Sequence, residues 1–580
     1  MDLNCQLLLY LDKKHILSNM KSACLQHIDD SNNNTVAKFR PCRFLLELDV
    51  MDLLEFSPTV GHLLLREPMK WQRICNEILY ACLQSIDEYK NEPADPAQAV
   101  VNLRPTCVPH VVVARNQRHY DGLKSYYGIL LAVSKPTSYV FHTVWSCPEE
   151  CEGNEVILHS IPKVPPKCSV CKCVLFENSG LRQCGEQVNA TFKLRNNMFL
   201  KHFRIIDDLI PKLKLGKKYN ILAISAKKTI MVWSLEEVMP LVAPITAPIP
   251  TDIDDLYKAC KGISWQFIYC LASSIGVNVC PLHCFMHIKI NLLLSLISIK
   301  ANAMTGSTII HVLVTGYDTG YVARLMEEGA KLADSSVFLG TSNTTVSVAL
   351  IGSSGGVCAM PLPFHVYNQK QTSFVLSSIE TGEISSDIGN TKLQCAVWAQ
   401  GMDFKKMIIL NVASVFGTIC RGDYGEHTDE IVDFILLNAV EPPKTTKEEI
   451  HALKDIKDYI DLISGTGVSL DVKSESLLRN YYLAARREKP KAVTMGSIGS
   501  LVATCLTSAR LCRRTSTNTD DAVFAIWLHV CGSPEPRFAP EEYLQTPANM
   551  KKLHKMMNNF QNWLEQFTGN VINESDNTSD

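Results

Sequence analysis

The order in which hydrophobic patterns follow one another constrains this chain more than any single motif. Up to about residue 104, apolar residues recur at three- and four-residue steps, as in FLLELDVMDLLEF (44–56) and in residues 69–86, which is typical of helices with one buried face. After the turn-rich segment EPADPAQ, short runs rich in Val, Ile and Tyr predict β-strands at 110–114, 126–133, 138–145 and 219–225. The first part of the chain therefore predicts a helical region followed by a β region.

A proline-rich stretch, MPLVAPITAPIP (239–250), separates this β region from a third pattern. Such a stretch predicts a semi-rigid linker. Beyond it, apolar runs of strand length alternate with helical runs, which favours an α/β domain with a parallel sheet. From about residue 441 the patterns are helical again. At 580 residues the chain is too long for one hydrophobic core, so several domains are expected.

Charge and composition restrict the partners only weakly. The formal net charge is −2, so any contact with nucleic acid depends on local basic patches. Two short runs are candidates, although a solvated surface explains either of them equally well: Lys201, His202 and Arg204, or Lys212, Lys214, Lys217 and Lys218. The first fifteen residues lack the features of a signal peptide, so the 22 cysteines are expected to be free thiols or metal ligands in a reducing compartment.

The most apolar stretch of the sequence runs from Leu282 to Ile299. It carries His283, His287 and Lys289 and is short for a membrane span. We interpret it as a buried helix and expect no membrane association.

Four cysteines inside the β region have the spacing of a metal site. Cys147 and Cys151 are separated by three residues, and Cys168 and Cys171 by two. Four thiolates on two tight turns can surround a tetrahedral Zn²⁺ at about 2.3 Å each, and short β-segments between the pairs fit a zinc ribbon. We predict a structural zinc with no open position for catalysis. Cys173 and Cys184 are alternative ligands, and four unrelated thiols are the alternative to a site.

The sequence IHVLVTGYDTGYVA (310–323) has the layout of a P-loop, in which an apolar strand leads through a Gly-containing turn into a helix. A working P-loop needs a Lys that reaches the phosphates and a Ser or Thr that binds Mg²⁺. Counting from Gly316, those positions hold Val322 and Ala323, and Gly320 lies between. Backbone N–H groups could still hold a phosphate, but we expect ATP binding to be weak or absent.

The order of these motifs resembles the minichromosome maintenance (MCM) family. GYDTGYVA aligns without a gap with the family's GDPGTAKS, and GGVCAMPLPFHV (355–366) aligns with its GGVCCIDEFDKM. This alignment places Pro361 and Leu362 at the two Walker B acids, which bind Mg²⁺ and orient the attacking water. Downstream, VTMGSIGSLVA (493–503) resembles the family's lid segment TVRQLESLIR when Thr494 is aligned with its first residue, which places Gly496 at the sensor Arg.

Other catalytic positions of the family also differ. The sensor Asn falls near Met402, and the presensor Lys near residues 387–388. The arginine finger of the family's SRFDL motif has no clear counterpart, because the context of nearby Arg421 does not match.

The resemblance, which extends over residues 100–530, implies a multidomain α/β fold. It predicts a helical N-terminal domain (1–104), an OB-like β-barrel with a zinc-ribbon insert (105–235), a Pro-rich linker (236–255), a degenerate MCM-type AAA+ core (256–440), a helical lid (441–540), and a C-terminal helix with a disordered tail (541–580). In the last segment, residues 549–567 have an apolar stripe that predicts packing on the lid or, alternatively, docking of a partner.

Within the family, the chain resembles a divergent vertebrate branch, and this resemblance implies a nuclear role in meiotic recombination and double-strand-break repair. We therefore expect a non-hydrolysing scaffold that binds DNA, mainly single strands through the OB-like domain, together with other recombination or MCM-like proteins. Tyr126, Tyr127 and Tyr139 are candidates for stacking on bases. The alternatives are a subunit of a mixed MCM-type ATPase ring and an unrelated α/β protein that keeps zinc for stability.

Overall fold

The computed structural model divides into two compact units, Met1–Val238 and Met239–Asp580. It describes residues 3–32, 39–86, 95–108, 122–149, 151, 155–194, 200–226, 229–239, 248–317, 320–341, 345–386, 389–401, 407–417, 419–440, 447–490, 493–533, 539–544, 547 and 550–576. Both units contain helices and sheets, which confirms the multidomain α/β class.

Unit 1 begins with five helices and a two-stranded parallel sheet. The elements are α1 (Leu3–Lys13), α2 (Ile16–Asn32), β1 (Cys42–Asp49), α3 (Val50–Phe56), α4 (Pro58–Arg66), α5 (Pro68–Gln84) and β2 (Ala99–Thr106). Apolar residues spaced along the helices, among them Leu7, Leu64, Trp71 and Leu79, are fully buried together with Val101 of β2. The helix predicted within residues 69–86 is confirmed by α5.

The helix predicted over residues 44–56 is wrong in its first half. Residues up to Asp49 form β1, which pairs with β2 from Cys42↔Ala99 to Asp49↔Thr106. Asp49 then caps α3 by accepting a hydrogen bond from the N–H of Asp52. A run as short as FLLEL fits both helical and strand periodicity. Because it pairs with the distant strand β2, it forms a strand. The strand predicted at 110–114 lies outside the described residues.

The second part of unit 1 is a five-stranded barrel with an excursion. Its strands are β3 (Lys124–Val133), β7 (Gln183–Leu194), β8 (Leu200–Ile206), β9 (Lys218–Ala226) and β10 (Thr229–Glu237). The order β3-β9-β10-β8-β7 closes because β3 also pairs with β7. All of these pairings are antiparallel except β8 with β10. Inward-facing residues such as Leu130, Phe192, Phe203 and Ile221 fill the interior.

The excursion leaves the barrel between β3 and β7. It contains β4 (Thr137–Ser146), β5 (Val156–Leu158) and β6 (Phe176–Glu177), and both short strands pair with β4. The strands predicted at 126–133, 138–145 and 219–225 are confirmed by β3, β4 and β9.

Unit 2 is built on a parallel sheet in the order β12-β13-β16-β11-β17. The strands are β11 (Val312–Thr315), β12 (Ser336–Phe338), β13 (Val357–Pro363), β16 (Ala396–Gly401) and β17 (Ile419–Arg421), and β14 (Glu383–Ser386) pairs with β15 (Gly389–Lys392) as a separate hairpin. The predicted linker is shorter than residues 236–255, because β10 runs to Glu237 and the first helix of unit 2 begins at Thr251; residues 240–247 lie outside the described residues.

The helices of unit 2 surround the sheet and form a second layer beyond it. They are α6 (Thr251–Ala259), α7 (Ser264–Ser273), α8 (Met286–Thr305), α9 (Gly320–Ala330), α10 (Val346–Gly352), α11 (Gln369–Thr381), α12 (Met407–Phe416), α13 (Thr428–Val440), α14 (Lys447–Ser464), α15 (Val472–Glu488), α16 (Met495–Leu511), α17 (Thr519–Gly532) and α18 (Met550–Asp576). Among the described helices, α8 alone is long and apolar enough to cross a membrane. It is mostly buried in the unit 2 core, as the sequence predicts.

The C-terminal helix α18 packs into the same core. Leu553, Met557, Phe560 and Leu564 of the predicted apolar stripe are at most 3% exposed, which supports packing over partner docking. The helix runs to Asp576 and so covers most of the segment predicted as a C-terminal helix with a disordered tail (541–580). Residues 577–580 lie outside the described residues.

Candidate metal centre and nucleotide-binding turn

The four cysteines predicted as zinc ligands lie together at the tip of the excursion. One sulfur atom from each of Cys147, Cys151, Cys168 and Cys171 lies within 4.8 Å of the others. A tetrahedral zinc with bonds of about 2.3 Å holds its sulfur ligands roughly 3.8 Å apart. This four-cysteine cluster therefore has the donor type, number and separation that a structural zinc needs.

Local backbone structure brings the two pairs together. Cys147 follows the end of β4, and Cys168 begins a narrow hairpin in which its N–H donates to the carbonyl of Cys173 at 2.8 Å. The N–H of Leu175 closes the hairpin on Pro166 at 2.9 Å. Trp145 and Leu175 are buried against the thiols, so a small apolar core surrounds the cluster.

The four thiols do not have equal acidities. Hydrogen bonds from the backbone N–H groups of Cys171 and Val170 lower the pKa of Cys168 to about 7, whereas burial raises the pKa of Cys151 to about 12. Thiolates crowded together repel one another, and a bound dication removes that penalty because it favours the deprotonated form of every ligand. Neither Cys173 nor Cys184 belongs to a metal-binding group among the described residues, so the four predicted positions need no substitute.

The strand, turn and helix predicted from the P-loop-like sequence are present in unit 2. Gly316 follows β11 directly, and α9 begins at Gly320, with residues 318–319 outside the described part. Only glycine fits at 316, because a Cβ there would lie 2.7 Å from both the N and the O of Asp423. Ligands of open α/β sheets bind at the carboxyl ends of the strands, where this turn lies.

The segment after β17 covers the start of the turn. The N–H of Tyr317 donates to the carbonyl of Asp423 at 2.7 Å, and the N–H of Gly422 donates to Thr315 at 2.7 Å. The rings of Tyr317 and Tyr424 are in contact, with their centroids 5.1 Å apart. The backbone N–H of Tyr317 is therefore engaged within the protein.

The two positions that align with the P-loop Lys and Ser/Thr hold packing residues. Val322 is 2% exposed and belongs to the hydrophobic core of unit 2, and Ala323 is half-buried beside it. A cationic side chain at 322 would have to enter this core. Position 322 thus stabilises the fold and offers no group to a nucleotide.

The Walker B positions lie on β13. Pro361 is half-buried and Leu362 is exposed, and pairing of β13 with β16 is irregular between Ala359 and Pro363. The amide Nε2 of Gln400 on β16 donates to the carbonyl of Pro361. Neither side chain carries an oxygen for Mg²⁺.

Gly496 lies away from the other nucleotide-site positions, which corrects the grouping made from sequence. It is in the first turn of α16, where a Cβ would lie 2.5 Å from the carbonyl oxygen of Ser414. It lines a cleft of about 590 Å³ together with His311 and Gln394, which precede β11 and β16. Gly496 therefore faces the amino-terminal edge of the sheet, and Gly316 the opposite edge. Alignment gave its position in the sequence but could not show which edge it faces.

The Arg421 side chain, which was also named from sequence, is engaged with neighbouring residues of unit 2. Arg421 has a side chain only 12% exposed, and its guanidinium pairs with Glu426 and lies over the ring of Tyr424. Residues 387–388 and Met402 lie outside the described residues.

The candidate DNA-contacting residues of the barrel divide between core and surface. Tyr126 is 7% exposed and packs edge-on against Phe203, with the Lys201 ammonium 4.3 Å from its ring centroid. The prediction that Tyr126 stacks on bases is therefore wrong, because alternation along β3 turns it inward. The hydroxyl of Tyr139 donates to Asp207 at 2.7 Å.

In the second basic run, the ammonium groups of Lys214 and Lys217 both lie near the carboxylate of Glu237, at 3.4 and 3.5 Å. His202 and Arg204 alternate with the inward-facing Phe203 on β8 and lie on the outer face of the barrel. Of the two runs, the one on β8 is the better candidate for contact with an anionic partner.

Comparison with known proteins supports the resemblance found in the sequence. Residues 3–108 match the family described as "MCMDC2, N-terminal domain". The chain is 20% identical over 620 aligned residues to minichromosome maintenance domain-containing protein 2 of Rattus norvegicus, covering 90% of this chain and 89% of the rat protein. The protein of the same name from Homo sapiens is 20% identical over 667 residues, covering 97% of this chain and 96% of its own.

Proposed function

Starting from a chain that is MCM-like and similar along nine-tenths of its length to minichromosome maintenance domain-containing protein 2, we propose that it acts without hydrolysing ATP. In this proposal it is a nuclear scaffold that binds DNA during meiotic recombination and double-strand-break repair. The meiotic and nuclear parts of the proposal rest on the family resemblance alone.

The observation that carries the proposal is the burial of Val322. A Lys that was lost from an exposed site could be replaced by a neighbouring cation, but here the position has become part of the unit 2 core. Pro361 and Leu362 remove the metal-binding acids independently. Each missing group is worth orders of magnitude in rate, so their combined loss argues against phosphoryl transfer.

The barrel of unit 1 is the proposed DNA-binding element. Its five strands close through β3 and β7 as in an OB-fold, a small barrel whose face binds single strands. His202 and Arg204 on β8 supply the basic outer surface. In our proposal the four-cysteine cluster holds a structural zinc that shapes the excursion between β3 and β7.

Other recombination or MCM-like proteins are the proposed protein partners. A scaffold needs binding surfaces and does not need catalytic turnover. Unit 1 offers a barrel with basic residues on its outer face, and unit 2 offers a large α/β body. Purification of the chain from an expressing tissue, followed by mass spectrometry of the co-purifying proteins, tests this part directly.

The alternative is an MCM-type subunit of a mixed ATPase ring, which supplies groups to a neighbour's nucleotide. Such a subunit must present an arginine finger. The sequence has no clear counterpart of the family's SRFDL motif, and nearby Arg421 pairs with Glu426 within the protein. Gly496, which aligns with the family's sensor Arg, offers no charge. We therefore favour the scaffold.

Turnover of radioactive ATP by the purified full chain, with and without single-stranded DNA, tests the proposal. We expect phosphate release at the background rate in both conditions. Turnover that rises with DNA would overturn the non-hydrolysing assignment. Adding purified MCM-like partners to the same assay tests whether the chain takes part in a mixed ATPase ring.

A further inference from the structure

A second group of metal-type donors lies in unit 2, outside every position discussed so far. One ligand atom from each of Cys284, His427 and Glu430 lies within 4.8 Å of the others. A fourth donor is close by, because the Nε2 of His283 is 3.8 Å from a carboxylate oxygen of Glu430. Thiolate, imidazole and carboxylate together are donors that zinc accepts in proteins.

The loop that carries Cys284 is held rigidly. The buried ammonium of Lys289 donates to the carbonyls of Pro281 and Leu282, both at 3.1 Å. Phe285, the next residue after Cys284, has a φ of +56°, in the left-handed region that a bulky side chain seldom adopts. These constraints aim the Cys284 thiol in one direction before any ligand binds.

The other two donors come from the start of α13. His427 immediately precedes the helix and Glu430 lies in its first turn, so the two side chains share one face. The His427 Nδ1 is 3.6 Å from a Glu430 oxygen, and the Phe285 ring packs edge-on against the His427 ring, with their centroids 5.6 Å apart. Two segments distant in sequence thus meet at these donors.

The site has a buried inner side and an open outer side. The Cys284 side chain is fully buried, and its sulfur lies within 4.8 Å of a donor atom from each of His427 and Glu430. A divalent cation held between the thiolate and the carboxylate would balance both negative charges. The outer side remains open to solvent, since the Glu430 side chain is 47% exposed and that of His283 is 35% exposed.

We propose that Cys284, His427 and Glu430 form a second zinc site, with His283 as the fourth donor. The site links the loop before α8 to the segment after β17, which also covers the turn at Gly316. Bonds of about 2.0–2.3 Å require the donor atoms to approach by roughly 1 Å from their present spacing. The inference is independent of the proposed function and of the four-cysteine cluster.

Counting zinc by elemental analysis of the purified full chain tests the site. We expect two equivalents in the unaltered protein and one each in the Cys284→Ser and His427→Asn variants. Cys280→Ser is the matched control, because Cys280 is a buried thiol of the same loop outside the donor group, and it should keep two. A Cys284→Ser protein that keeps the full zinc content of the unaltered chain refutes the proposal.

Substituting an exposed donor gives a second measurement, because this change leaves the hydrophobic core of the protein unaltered. In competition with a chelator, Glu430→Gln should weaken the second zinc by at least about tenfold, the loss seen even when outer-shell partners are removed. An unchanged competition curve contradicts the site. The zinc of the four-cysteine cluster is counted separately with Cys168→Ser and Cys171→Ser, so either site can fail alone.

Discussion

The four-cysteine cluster of unit 1 has the side chains that its expected chemistry needs. The Gly316 turn of unit 2 has the expected backbone form but lacks such side chains. At the cluster, all four donors are present and the structure gathers their sulfur atoms within 4.8 Å. At the turn, strand, glycine and helix are in place, but Val322 and Pro361 stand where charged groups would act. The cluster therefore has the side chains that a metal site needs, whereas the turn has the backbone form of a nucleotide site without the charged side chains.

The difference has a physical basis. If the cluster binds zinc as we propose, the small excursion, which has little apolar surface to bury, depends on that metal for its shape. The parallel sheet of unit 2 is held by burial of residues such as Val312, Val314 and Trp398, none of which takes part in phosphate chemistry. We therefore expect the sheet to form without the P-loop side chains, and the excursion to unfold without its cysteines.

The largest effect should follow from breaking the cluster. Replacing Cys168 and Cys171 by Ser should release one zinc equivalent and unfold the excursion, since structural zinc contributes about 10–16 kcal/mol in small zinc-dependent domains. Cys173→Ser is the matched control and should keep the metal, because its thiol lies outside the donor group. Elemental analysis and limited proteolysis measure both effects. Zinc that persists in the double variant would show that these thiols are not the ligands.

A smaller effect should come from restoring chemistry to the turn. Val322→Lys places an unpaired charge in the unit 2 core and should reduce the free energy of unfolding by about 3–5 kcal/mol. Glu327→Lys, on the exposed face of the same helix, should change it by about 0.5 kcal/mol or less. Denaturant titration compares the two.

The pair Val322→Lys and Ala323→Thr should also fail to release phosphate from ATP, because Pro361 and Leu362 still leave Mg²⁺ without acidic ligands. A double variant that is both stable and active would show that the turn can still support ATP hydrolysis. The contrast between the turn and the four-cysteine cluster would then be wrong.

A third test addresses the turn's backbone. Gly316→Ala should destabilise unit 2 by about 1–3 kcal/mol, since the added methyl group overlaps the backbone of Asp423. Gly499→Ala is the control within a helix, where the added Cβ meets no atom within 4 Å. It should stabilise by about 0.5–1 kcal/mol. Equal melting temperatures for the two variants would mean that the Asp423 segment does not rest on the turn.

The smallest expected effect is none at all. A ligand at a hundred times its dissociation constant stabilises a protein by about 2.7 kcal/mol, which raises the melting temperature by a few degrees. We expect Mg²⁺ and ATP to produce no such shift in the unaltered chain. A reproducible shift would assign the turn to sensing a nucleotide and remove the contrast with the cluster.

Much of the fold and of the four-cysteine cluster could be predicted from the sequence, because the signals for them are local. The spacing of Cys147, Cys151, Cys168 and Cys171 predicted their meeting, because each pair sits on a tight turn. The strand before Gly316 and the helix after Gly320 followed from their apolar patterns. Periodicity likewise identified the stripe of α18.

Long-range geometry could not be predicted in the same way. Residues 44–49 have a helical pattern, yet they pair with a strand that lies far along the chain. Gly496 aligned with a sensor position, but the alignment could not show that it faces the other edge of the sheet. The donors Cys284 and His427 meet only in the fold, and the sequence signal for them is the pair His427 and Glu430, three residues apart.

The packing of α18 also bears on how the chain is made. Phe560 and Leu564 close a core that begins with Ile253. Because domains generally fold as units during synthesis, we expect unit 1 to fold once β10 has been synthesised, whereas unit 2 can complete its hydrophobic core only after α18 has been synthesised. We therefore expect a premature stop codon before residue 550 to give a chain in which unit 1 is folded and unit 2 is incompletely folded. Such a chain should be bound by chaperones or degraded.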